Sequence, residues 1–178
     1  YSSLSPENKA MMSMLFSEKN LEAQMQVGFK GNPNIGSVVL NQIVSSPQFD
    51  EFATSFVEGD KIFIISSIFG GTGASGFPLL LKTLRDKEAT FPNHSIINSA
   101  QIGAVTILPY FRLQPSEESE IDSSTFISKA RSALAYYGTN VVGNESINAL
   151  YYLADDGDIY ENNDGGNLQQ NPAHIIEL

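Results

Sequence analysis

The run Lys61-Ile62-Phe63-Ile64-Ile65-Ser66-Ser67-Ile68 constrains the fold more than any other stretch of the chain. A continuous apolar, β-branched run of this length reads as a strand buried on both faces, the kind found in parallel sheets covered by helices. Gln101 to Leu108 reads as a second buried strand and Ile147 to Leu153 as a third. Between them lie two helical patterns. Phe77 to Lys87 has the length and residues of a helix, with Pro78 tolerable only in its first turn. Ser123 to Tyr137 is the other, capped by Ser123 or Ser124, with Phe126, Ile127, Ala130, Leu134 and Tyr137 facing inward. Strands alternating with helices imply right-handed crossovers. The predicted class is therefore α/β: a three-layer, Rossmann-like, mainly parallel sheet with helices on both faces, the three strands being parallel neighbours.

At 178 residues the chain fits a single domain, spanning residues 1 to 178, with a sizeable core. Upstream, Pro6 to Met25 places Ala10, Met11, Met14, Leu15, Leu21 and Met25 near helical spacing behind the cap Ser5, which predicts a core-facing helix. The turn-rich stretch Gly28 to Gly36 follows, then helical pieces at Ser37 to Ser45 and Pro47 to Phe56. Glu161 to Gln170 is polar and reads as a mobile loop, while Pro172 to Leu178 starts an apolar helix and stops after about two turns. That abrupt stop reads as an interior helix cut short, hence a piece of a longer protein.

Composition narrows the function classes. Zero Cys and two His leave no thiolate site and little basis for zinc chemistry. Twenty acidic residues against ten basic ones give a formal charge of −10, which repels nucleic acid and anionic lipid. No apolar run reaches the ~18 residues that a membrane span requires. The opening Tyr-Ser-Ser-Leu-Ser-Pro has neither the basic nor the apolar region of a signal peptide, so a cytoplasmic location is expected. On so acidic a chain, a bound phosphate must be held by local backbone amides rather than by a broad basic surface.

Such amides are what Phe69-Gly70-Gly71-Thr72-Gly73-Ala74-Ser75-Gly76 offers, where a buried strand meets the start of a helix. Successive glycines let N–H groups approach an anion without obstruction by Cβ, and the helix dipole favours negative charge there. Thr72 and Ser75 add hydroxyl donors. Ligands of open α/β sheets gather at the carboxyl ends of the strands, where this turn must lie. It carries no Lys and is not a Walker A loop.

The run Asp60 to Ile65 followed by Gly70-Gly71-Thr72-Gly73 and Pro78 resembles the tubulin/FtsZ signature, in which a strand delivers a GGTG-centred loop to the phosphates of GTP. Gly31-Asn32-Pro33-Asn34-Ile35-Gly36 is similar to that family's loop beside the terminal phosphate. Ala104 to Phe111, with Pro109, resembles its ribose-side strand and loop. The resemblance covers Gly28 to about Leu153. It implies GTP or GDP bound by Asn32, Pro33, Gly70, Gly71, Thr72, Gly73, Ala74, Ser75, Gly76 and Pro109, Mg²⁺ as an optional companion ion, and self-association of the full protein. It also implies that Asn171 could face guanine, although a helix-cap role is the simpler reading. The chain departs from the family in three ways: Ser75 stands where a Gly is usual, and both the first Gly-rich phosphate loop and the second domain are missing. No catalytic residue follows, and GTPase activity would belong to a full-length assembled protein.

Two other readings stand beside it. Gly70 to Gly76 also looks like the G-x-x-G-x-x-G turn of short-chain-dehydrogenase-like NAD(P)-binding proteins. About sixty residues precede it, however, and the next strand ends Leu108-Pro109-Tyr110 without a ribose-reading side chain. The other is a non-catalytic scaffold that keeps the nucleotide fold. Asp155, Asp156 and Asp158 lack the later Glu of an EF-hand and read as a solvated turn. Glu117, Glu118 and Glu120 read likewise, with a ribose contact from Glu117 resting on analogy alone. His94 and His174 read as ordinary polar residues.

Overall fold

The computed structural model describes residues 5–18, 21, 29, 32–113, 123–155, 160–162 and 174–177. Its helices are α1 (Pro6–Leu15), α2 (Pro33–Leu40), α3 (Pro47–Ser55), α4 (Gly71–Arg85), α5 (His94–Ser99) and α6 (Phe126–Tyr137). Its strands are β1 (Ile62–Ser67), β2 (Ile102–Ile107), β3 (Phe111–Leu113), β4 (Ala149–Leu153) and β5 (Tyr160–Asn162). β1, β2 and β4 form a parallel sheet in that order, with Ile65 paired to Val105 and Val105 to Tyr151. The α/β class and the parallel neighbours are as expected. β3 and β5 form a separate parallel pair that the expectations did not include, nor did they include α5.

The connections explain the layering. β1 reaches β2 through α4 and α5, and β2 reaches β4 through α6. Right-handed crossovers stepping twice in the same direction put their helices on the same side of a sheet. The core fills that side: Phe77, Leu81 and Leu84 of α4, Ile97 of α5, and Ala130 and Tyr137 of α6 meet Ile102 and Ala104 of β2, all buried. Phe49 and Ala53 of α3 close the cluster, Phe49 standing edge-on to Phe91 with ring centroids 5.1 Å apart.

Burial of β1 on both faces is not what the structure shows. Phe63 is 58% and Ile65 70% exposed, and Tyr151 and Leu153 on the same face are exposed too, because the described crossover helices lie behind the opposite face.

The helices differ from expectation at their ends and faces. α2 begins at Pro33 rather than Ser37, since Pro at the first position is pre-set for the helix, and a 3-10 turn at Ile43–Ser45 replaces its second half. Within α1, Ala10, Met11, Met14 and Leu15 are exposed, so this stretch does not face the core; the rest of that predicted helix, save 16–18 and 21, lies outside the described residues. In α6 the buried stripe is Phe126, Ala130 and Tyr137, and Ile127, one position off it, is 54% exposed. Also outside the described residues are Gly28, Gly31, Glu117, Glu118, Glu120, Asp156, Asp158, Asn171 and 163–170; of the predicted terminal helix only a 3-10 turn at Ile175–Glu177 is described. No helix is long and apolar enough to cross a membrane, among the described residues.

Candidate functional site

The Gly-rich stretch is not a loop preceding a helix but the helix's own first turns. Gly70 is the N-cap of α4 and supplies no side-chain hydrogen bond, so Gly71, Thr72 and Gly73 stand at the first positions of the helix. Pro78 consequently sits inside the helix and not in its first turn. A proline there removes the amide hydrogen that would bond to the carbonyl four residues earlier, that of Ala74. The hydroxyl of Tyr137, fully buried on α6, instead donates to the Ala74 carbonyl at 3.4 Å. Burial, then the nearby Tyr152 and Tyr136, push the Tyr137 hydroxyl well above the ordinary tyrosine value, so it stays neutral.

Packing holds this helix start against α2 and β1. A Cβ on Gly71 would stand 2.8 Å from Phe29 Cβ and 2.9 Å from the Asn32 nitrogen. On Gly73 it would collide with the Ser67 carbonyl oxygen and approach the Ser67 nitrogen to 2.8 Å. A Cβ on Gly36 of α2 would strike Ser75 Oγ, which is buried and donates to the Gly71 carbonyl at 2.6 Å. Gly70 differs: its added Cβ would meet only Ser67 Oγ, at 3.1 Å. The N-termini of α2 and α4 are thereby brought together, Asn32 capping one and Gly70 the other, and neither cap makes a side-chain hydrogen bond to its helix. The positive ends of two helix dipoles therefore face the same region.

A cavity of about 530 Å³ opens beside these ends, between α2, α4 and α6. Pro33, Asn34, Gly70, Ala74 and Ser75 line it near the helix starts, and Lys82 and Lys129 are the basic residues of its wall. Of the residues singled out in the sequence, Asn32, Gly71 and Gly73 belong to the packing just described rather than to the cavity wall. Thr72 is exposed, and Gly76 turns toward Leu40, whose Cδ1 would lie 3.1 Å from an added Cβ. Pro109 follows the end of β2 and does not line the cavity, but its neighbours are fixed close by. Phe69, beside Gly70, packs against Tyr110, Phe111 and Phe126 with ring centroids 6.3, 5.6 and 5.0 Å away. Lys82, Lys129, Ser128, Ser132 and Tyr136 were not anticipated. Their signal is the four-residue spacing of Ala74, Pro78 and Lys82 on α4, matched by Ser128, Ser132 and Tyr136 on α6.

His174 is more engaged than its sequence context suggests. Its Nε2 lies 2.8 Å from an Asp155 carboxylate oxygen, its Nδ1 accepts the Ile176 amide at 3.2 Å, and its ring packs on Tyr110 at 5.0 Å. With both ring nitrogens occupied it anchors the 174–177 turn beside β4. No group of three or more metal-ligating side chains stands together among the described residues. The two helix N-termini and the Lys82 and Lys129 side chains give the region of the cavity, among the described residues, a positive electrostatic character. Comparison with known proteins finds no match: no family model, curated protein or solved structure is significantly similar to the chain.

Proposed function

We propose that the chain is a guanine-nucleotide-binding domain of the tubulin/FtsZ-like kind. The observation that carries this reading is the meeting of two helix N-termini, at Asn32-Pro33 and Gly70-Gly71, over one cavity at the carboxyl end of β1. First-turn amides such as those of Asn34, Thr72 and Gly73, together with the two helix dipoles, favour phosphate oxygens, and Lys82 and Lys129 add positive charge at the cavity. Pro109-Tyr110, beside the Gly-rich helix start through the Phe69–Tyr110 ring contact, would serve the sugar side in the order the resemblance implies. GTP or GDP is the ligand on this reading, with no catalytic residue assigned to hydrolysis.

A second reading has its own support. Gly71 and Gly73 are required by packing against Phe29, Asn32 and Ser67 whether or not a ligand binds, as in a scaffold that keeps the fold alone. Titration calorimetry of the protein with GTP, GDP, ATP and NADPH separates the readings. Saturable binding of GTP and GDP at one per chain, weaker for ATP and NADPH, is expected. NADPH binding without a response to GTP would instead favour the dinucleotide reading, and no binding at all the scaffold.

A further inference from the structure

At the far end of α4 a second cavity, of about 520 Å³, is lined by Lys82, Arg85 and Lys87 together with Asn140, Asn144 and Ser146 from the π-helical turn after α6 and the segment beyond it. Three of the chain's ten basic residues thus surround one hollow on a protein with twice as many acidic ones. One carboxylate, that of Asp86, also stands in the lining, where it accepts the Glu88 amide at 3.0 Å, so the basic side chains there outnumber it three to one. Neither Lys82 nor Lys87 is ion-paired among the described residues, although carboxylates are plentiful.

Arg85 is positioned rather than loose. Its Nε donates to the Ser146 carbonyl at 2.9 Å and its Nη1 to the Asn98 carbonyl. A guanidinium has five N–H groups, so the Nη2 pair is left over in a fixed orientation. Cations in the last turn of a helix also offset its dipole, which accounts for Lys82 and Arg85. It does not account for Lys87, which lies beyond the helix end, nor for the hollow itself.

We propose that this cavity is an anion site for a small phosphate-bearing ligand, held by Lys82, Arg85 and Lys87, with the second amide hydrogens of Asn140 and Asn144, whose Nδ2 groups already donate to the Tyr136 and Asn140 carbonyls, beside them. A half-open hollow of this volume favours a small polyanion over an acidic peptide, and the fixed guanidinium matches phosphate oxygens. The proposal does not depend on the nucleotide reading. Pyrophosphate titrated into the protein and followed by backbone amide NMR tests it. Saturable shifts at Asn140, Asn144 and Ser146 are expected, weakening with added salt. Lys87→Gln, at a residue that lines this cavity and not the one beside Gly70, should raise the Kd about threefold to tenfold. Shifts confined to Gly71, Thr72 and Gly73 would support the phosphate turn and overturn this second site. An unchanged Kd for Lys87→Gln, or no saturable shift at the three far amides, would overturn it as well.

Discussion

Pro78 and Tyr137 show how a local fault in α4 is made good from another element. Proline leaves the Ala74 carbonyl without its helical donor, and Tyr137 supplies one from α6. The glycines nearby divide by a similar test of surroundings. Ala at Gly73 would drive a methyl into the Ser67 backbone, an overpacking that costs about 1–3 kcal/mol. Gly70 has φ −84° and ψ 169°, open to any residue, and its Cβ would meet only a movable hydroxyl. Gly73→Ala is therefore expected to lower the Tm by roughly 2–12 °C, at about 2–4 °C per kcal/mol for a chain of this size, while Gly70→Ala stays near the parent value. Equal Tm values in a calorimetric scan would remove the packing account. The contrast also makes Gly70, not Gly73, the position at which loss of ligand binding can be separated from loss of fold.

Among the elements, Arg85 fastens three: it sits on α4 and reaches the Asn98 carbonyl of α5 and the Ser146 carbonyl that leads toward β4. Partial burial draws its pKa below the ordinary arginine value. Arg85→Ala would leave two carbonyls without their charged donor and is expected to cost about 2 kcal/mol in urea unfolding with an unchanged slope. A cost within about 0.5 kcal/mol would place those carbonyls in contact with water instead. The strands were legible because long β-branched runs have few other uses, and β1, β2 and β4 lie within the predicted stretches. The start of α4 was not legible. Glycine disfavours a helix by about 1 kcal/mol per residue, so Gly70 to Gly76 reads as a loop until the close approach of Gly36 and Ser75, visible only in three dimensions, favours the helix. The cavity wall contributed by α6 was hidden for a related reason: Ser128, Ser132 and Tyr136 look like a solvated face until α4 is set opposite.

On the scale of the whole molecule, the apolar face of the sheet is the unusual surface. Phe63, Ile65, Tyr151 and Leu153 stand together on it, all exposed. Ile65→Thr keeps the β-branch that suits a strand and removes apolar surface, so stability should change by no more than about 0.5 kcal/mol while binding of an apolar fluorescent dye falls. Undiminished dye fluorescence would mean that the dye reads another surface. The same sheet has a further consequence, set by its order. Each of its strands pairs with the sheet strand before it in sequence, β2 on β1 and then β4 on β2, each joined by its own crossover. Among the described strands, none has to be inserted during synthesis between two already paired. The sheet they form can lengthen at one side as the ribosome delivers them, β2 laid on β1 and β4 on β2.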